Sequence, residues 1–242
     1  MVSPRPFRAL RFQPSRLDLG RVVGDQRDDP RHASRLLDAK VAPGVGTRGA
    51  ARRARFRVAD WRRAGIVARD RDPALTLIKR SDAAGEAVGL FCALPVSAFA
   101  GTDPPHDLAL EEWLEQTMLA VEPVVASFSC DARARRALDN AADREADASW
   151  TDGDATFELW VIDDETTAAR LATMIGGATL ELCAGAELLA THAAFAARRE
   201  RVRDDDGGPQ ASSFALCFLH PAGDAWASVP RGAALLPLDG AL

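Results

Sequence analysis

Apolar and polar positions alternate along the chain in blocks that switch between helical and strand spacing. Pro4 and Pro6 hold the opening stretch extended, and Phe7, Leu10 and Phe12 offer apolar contacts between Arg5, Arg8 and Arg11, so this segment is expected to dock. Ala33, Leu36 and Leu37 recur at helical spacing and predict a short helix over 31–40, stopped by Pro43 and Gly44. Over 50–65, Ala54, Val58 and Trp61 share one face of an amphipathic helix, with Arg52, Arg53, Arg62 and Arg63 forming a solvated basic face around it. The runs 74–79 and 88–96 predict two strands of an antiparallel hairpin joined by the loop 81–86.

A loop with Gly101, Pro104 and Pro105 then carries His106 and Asp107. Helical periodicity follows over 108–119, and 123–129 predicts a strand. The alanine-rich, charged stretch 131–153 reads as a helix followed by a loop holding Trp150, and it is the one place where a sub-boundary is expected in an otherwise single domain over 1–242. Beyond it the pattern is strand (156–163), helix (164–175), strand (178–183), helix (186–199). A charged loop, RRERVRDDDGGPQ, leads to strand candidates at 213–219 and 225–229. Helices interleaved with hairpin-connected strands predict an α+β fold, a mixed sheet with flanking helices.

Composition narrows the function classes. At 242 residues, 47% hydrophobic and 27% charged, the chain can bury a sizeable core. A net charge of −5 argues against a non-specific nucleic-acid binder, although a local basic patch between Arg48 and Arg63 keeps that reading open for test. Lys40 and Lys79 are the only lysines, and the excess of arginine and alanine suggests a GC-rich genome. Cys92, Cys130, Cys183 and Cys217 lie far apart in apolar runs, which predicts buried free thiols with neither a zinc site nor a disulfide framework. No stretch reaches the roughly 20 apolar residues of a membrane span, and the start lacks a signal-peptide core, so a cytoplasmic protein with no membrane partner is expected. No histidine pairs with acids at metal-ligand spacing, and no phosphate loop, nucleophile elbow or dinucleotide fingerprint occurs.

Three stretches resemble one family, the proteins grouped as domain of unknown function family 1015. Arg5-Pro6-Phe7-Arg8-Ala9-Leu10-Arg11 is similar to the family's opening motif, followed by Val22 and Val23. The family's next motif, Ala-Pro-Pro-Tyr-Asp-Val, gives way here to Gly24-Asp25-Gln26-Arg27-Asp28-Asp29, in which Asp28 alone matches a polar position. Trp61, Gly65, Asp72-Pro73-Ala74, Gly89 and Pro105-His106 fall in the family's order, with Asp107 where relatives carry Glu. Leu159-Trp160-Val161 and then 180–193 resemble the third motif, Ile-Ala-Asp-Gly-His-His-Arg-Tyr-Glu-Thr-Ala. Gly185 and Thr191 are retained, whereas Ala184, Ala186, Glu187, Leu188 and Leu189 stand at the Asp, His, His, Arg and Tyr positions.

That motif resembles the Gly-x-x-Arg turn of the ParB and sulfiredoxin superfamily, some of whose members are nucleotide-dependent small-molecule kinases. The resemblance implies a ParB/sulfiredoxin-like core. A glycine after a strand lets backbone approach a phosphate, the next helix offers N–H groups and a positive dipole end, and an arginine adds a bidentate contact. Here Leu188 cannot hold a phosphate, Ala184 and Ala186 cannot move a proton, and Glu187 sets a negative charge in the helix's first turn, as many ordinary helix starts do.

The expectation is a degenerate, C-terminally shortened member that binds or regulates without catalysis. It needs no cofactor, and its expected partner is a full-length relative or a second copy of the chain. The alternative is a kinase of serine-like hydroxyl compounds using ATP or ADP with magnesium, its catalytic groups relocated to Asp25, Asp28 and His106. Candidate catalytic residues are therefore Asp28 and His106, and candidate ligand-binding residues Arg5, Arg8, Asp25, Gly185, Glu187 and Thr191; no metal is expected. His192, alone in the middle of its helix, reads as a packed side chain.

Overall fold

The computed structural model describes residues 3–23, 29–36, 47–99, 107–201, 210–224, 226, 229 and 233–238. Asp25, Asp28 and His106 lie outside them, as does most of the strand expected at 225–229.

The order of elements is β1 (Leu10–Phe12), α1 (Leu19–Val23), α2 (Thr47–Arg63), β2 (Val67–Arg69), β3 (Leu75–Asp82), β4 (Gly85–Pro95), α3 (Leu108–Thr117), β5 (Leu119–Ala120), β6 (Val124–Phe128), α4 (Ala132–Ala141), β7 (Ala148–Asp152), β8 (Ala155–Ile162), α5 (Glu165–Gly176), β9 (Leu180–Ala184), α6 (Ala186–Arg201), β10 (Phe214–Pro221) and β11 (Leu236–Pro237). Seven strands form one sheet in the order β7-β8-β3-β4-β10-β6-β9. β10 and β6 run parallel and the other neighbours antiparallel, which makes the α+β fold with a mixed sheet that the alternating blocks imply.

The sheet is buried on both faces because its central strands alternate two apolar sets. Ile78, Phe91, Ala93, Leu216 and Phe218 point to one side, where they meet Ala50, Ala51 and Ala54 of α2, Trp113 and Leu114 of α3, and the chain's ends at Phe7, Leu10 and Leu235. Leu75, Leu77, Leu90, Cys92, Cys217 and Leu219 point to the other side, against Ala137 and Leu138 of α4 and Leu171 and Ile175 of α5. Between β4 and β10 the close approach is set by Gly89, where a Cβ would fall 1.9 Å from the Phe218 ring.

Aspartates start three helices. The Asp107 carboxylate accepts the N–H groups of Ala109 and Leu110, Asp131 those of Arg133 and Ala134, and Asp164 that of Thr167. The opening segment docks as its residues imply: Arg5 bridges Ala93, Phe7 bridges Ala74, and β1 pairs with β2. The helix expected over 31–40 is a single tight turn at Ala33–Leu36 within the described residues. The loop expected around Trp150 is instead β7, an edge strand of the main sheet that buries Trp150 and leaves its neighbours in the strand exposed or half-exposed. Its only apolar residues, Ala148 and Trp150, are too few to mark a two-residue period within an alanine-rich, charged stretch.

The thiols also differ from expectation. Cys92 and Cys217 are fully buried and face each other across β4 and β10, but Cys130, between β6 and α4, is half-buried, and Cys183 is exposed because β9 is an edge strand with most of its side chains at or near solvent. No helix among the described residues is long and apolar enough to cross a membrane.

Candidate functional site

Two places carry candidate chemistry, the turn at Gly185 and a cavity under the opening strand. At the turn, edge strand β9 ends and Gly185 adopts φ +87°, a left-handed conformation open to glycine at little cost, so α6 can start in a new direction. A Cβ at Gly185 would lie 3.2 Å from Val124 Cα, so the residue is also held to glycine by the neighbouring strand β6.

The side chains that follow turn to packing. Leu188 is half-buried and touches both apolar clusters, and Leu189 is buried. Glu187 is exposed in the first turn of α6, where its charge complements the helix dipole. Thr191 is completely buried; its Oγ1 donates to the Glu187 carbonyl at 2.7 Å and accepts the Asp107 N–H at 2.9 Å, tying α6 to the start of α3. His192 is 1% exposed, its Nδ1 has no hydrogen-bond partner, and burial pushes its imidazole down to about 4, so it is neutral at pH 7.

Arg5 and Arg8 are exposed on the opening segment, the Arg5 guanidinium lying 5.1 Å from the Phe214 ring centroid. The exposed arginines of α2 behave as a solvated face, with Arg52 over the Phe56 ring and Arg63 paired to Asp60. Among the described residues, no three His, Cys, Asp or Glu side chains are arranged to hold a metal ion.

The second place lies between β1, α1, β7 and β8, where a cavity of about 230 Å³ is walled by Phe12, Leu19, Trp150 and Leu159 and by the charged residues Arg11, Asp70 and Asp147. Arg11 is 7% exposed although it belongs to β1, whose three residues are all buried. Its Nε donates to both Asp70 carboxylate oxygens at 2.8 Å, and its Nη2 sits 2.7 Å from Oδ2 without hydrogen-bond alignment. Nη1 reaches the Ala233 carbonyl at a long 3.4 Å.

Asp147 accepts two hydrogen bonds from Arg144 and one from the Val161 N–H. Burial raises its carboxyl, but these bonds and the charges of Arg144 and Arg11 outweigh that and hold it below the ordinary range. Trp150 stacks on Phe157 with centroids 5.3 Å apart and planes 6° from parallel, is 6% exposed, and has an indole N–H with no partner. A buried donor left unpaired costs about 1–3 kcal/mol.

The sequence offered Arg11 only as part of the opening motif, and Trp150 only as a loop residue. The available signal was a charged residue between Leu10 and Phe12, at a position where a three-residue strand buries every side chain. Gly185, Glu187 and Thr191 line neither this cavity nor the open grooves beside Cys130 and Asp164.

Among known proteins, the family model described as Protein of unknown function (DUF1015) matches residues 5–225. No curated protein and no solved structure matches the chain.

Proposed function

The chain belongs to the DUF1015 family of proteins of unknown function, and from that premise we propose that it acts by binding a ligand or partner and not by catalysis. The observation that carries this reading is Leu188. At the position where the resembling turn would place an arginine on a phosphate, this side chain is packed between the two apolar clusters of the sheet. A guanidinium introduced there would have to displace that packing before it could meet an anion.

The rest of the turn agrees. Ala184 and Ala186 offer no proton-transfer group, and Glu187 puts a negative charge at the helix end where a phosphate would sit. Gly185 is retained for a reason independent of ligand binding, since its φ and the approach of Val124 both require it. On this reading the protein descends from an enzyme with a ParB/sulfiredoxin-like core, keeps the frame, and serves as a binding or regulatory protein toward a relative or a second copy.

The test is a phosphotransfer assay with ATP or ADP, magnesium and serine or a similar hydroxyl compound, together with melting temperatures in the presence of each nucleotide. No transfer and no nucleotide-dependent shift are expected. Transfer that Gly185→Asp abolishes would overturn the reading in favour of a kinase built on Asp25, Asp28 or His106.

A further inference from the structure

We propose that the cavity beside Arg11 is a binding site for a small, uncharged, mainly apolar molecule carrying one hydrogen-bond acceptor, which takes the unpaired indole N–H of Trp150. This rests on the reading of the protein as a binder and names the ligand class of that binding.

Size sets the first limit. A cavity of about 230 Å³ is below the roughly 300–1,000 Å³ of drug-sized sites, whereas apolar cavities of roughly 150 Å³ take benzene. One ring with a short substituent fits. The ring would lie against Phe12, Leu19 and Leu159, side chains with no polar atom to offer.

Charge sets the second limit. Arg11 is paired with Asp70, and Asp147 with Arg144, which lies outside the wall, so each charged side chain of the wall is held in a closed pair. A charged ligand would lose its hydration without gaining an unpaired counter-charge.

Hydrogen-bond capacity sets the third. Both oxygens of Asp70 and both of Asp147 already accept from arginine. The unused group is a donor: Trp150 Nε1 is buried and makes no hydrogen bond, whereas Arg11 Nη2 is held 2.7 Å from Asp70 Oδ2. Native folds rarely leave such a donor unpaired on a residue that lines a cavity, and a carbonyl, ether or ring nitrogen on the ligand would satisfy it after a small side-chain adjustment. The residues that build this wall come from β1, β7, β8 and the turn after β2, so the site exists only in the assembled fold.

Benzamide, benzoate and benzylamine share one ring and differ in charge, which makes them the probes. The five tryptophans give five indole N–H resonances, and Trp150→Phe identifies the one from Trp150. Titration of the full chain with benzamide is expected to shift that resonance with a Kd of about 1 mM, the scale for a ligand of nine heavy atoms, and benzoate and benzylamine are expected to bind about tenfold more weakly. Ala148→Phe, which fills the cavity from β7, is expected to abolish binding, and Ala178→Phe, in a separate groove, to leave it unchanged. Trp150→Phe keeps an aromatic ring and removes the donor, so it keeps the test sharp where Ala148→Phe does not fold; a loss of about fivefold in affinity is expected by ligand-observed relaxation.

No shift of the Trp150 resonance with benzamide, equal binding to Ala148→Phe, or tighter binding of benzoate or benzylamine would overturn the proposal. Failure here with no phosphotransfer removes the cavity and leaves the binding reading. Benzamide binding alongside phosphotransfer does the reverse.

Discussion

The Thr191 hydroxyl accepts the Asp107 N–H at 2.9 Å, and this bond fastens the first turn of α3 to the middle of α6. Both residues fall in stretches that resemble family motifs, and here they serve each other. Thr191→Val keeps the shape and leaves the partly buried Asp107 N–H unpaired, so a loss of about 1–3 kcal/mol is expected in urea unfolding. Thr191→Ser keeps the hydroxyl and is expected to cost about 1 kcal/mol for the missing methyl group. Equal stability of the valine variant and the parent would remove the tie.

Gly89 and Phe218 form a second dependent pair. The Phe218 ring occupies the space a Cβ at Gly89 would need, and it is held there by Phe91 at 4.9 Å and Trp226 at 4.7 Å between centroids. Gly89→Ala alone is expected to destabilise by about 3 kcal/mol. Combined with Phe218→Leu, the total is expected to fall short of the sum of the two single losses by about 1 kcal/mol or more, measured as a double-mutant cycle. Strict additivity would mean that the ring yields to the new methyl group at no cost.

How far the sequence could be read depended on the range of the contacts. Segments whose pattern is local were legible: the hairpin of β3 and β4, the α5–β9–α6 run, and the helix after Asp107. β7 was missed because an edge strand that buries only Trp150 has no visible period. The cavity was missed for a different reason. Arg11, Asp70, Asp147 and Trp150 are up to 139 positions apart, and no local spacing relates them; the sheet brings them together. At the Gly185 turn the sequence showed which side chains differ from the motif it resembles, but only the fold shows that Leu188 packs, half-buried, against both apolar clusters.

That packing separates two of the five positions where the turn differs from the motif it resembles. Leu188→Arg is expected to cost about 2 kcal/mol, since it removes a half-buried apolar side chain from two clusters and puts a charge in its place. Glu187→His sits at an exposed first-turn position and is expected to cost no more than about 1 kcal/mol, the size of the lost dipole interaction. Chemical denaturation of the two single variants checks the order. A Leu188→Arg protein as stable as the parent would show that the turn still has room for an anion-binding arginine.

His192 gives the fold a pH dependence whose sign follows from burial. Its imidazole titrates at about 4 in the folded chain against 6.5 when free, so between those values the unfolded chain binds a proton that the folded chain does not. Its contribution is fully present above pH 6.5 and is lost as pH falls toward 4, by roughly 3 kcal/mol in total. Asp29 acts in a lower window: the hydrogen bond from Arg31 holds its carboxyl at about 2 against 3.8, so its contribution is lost only below about pH 4. Urea midpoints taken from pH 7.5 to 4.5 are therefore expected to drop in the parent and to be flatter in His192→Gln, with the two curves converging toward acid. Parallel curves would assign the mid-range dependence to other groups and place His192 in contact with a proton donor or with water.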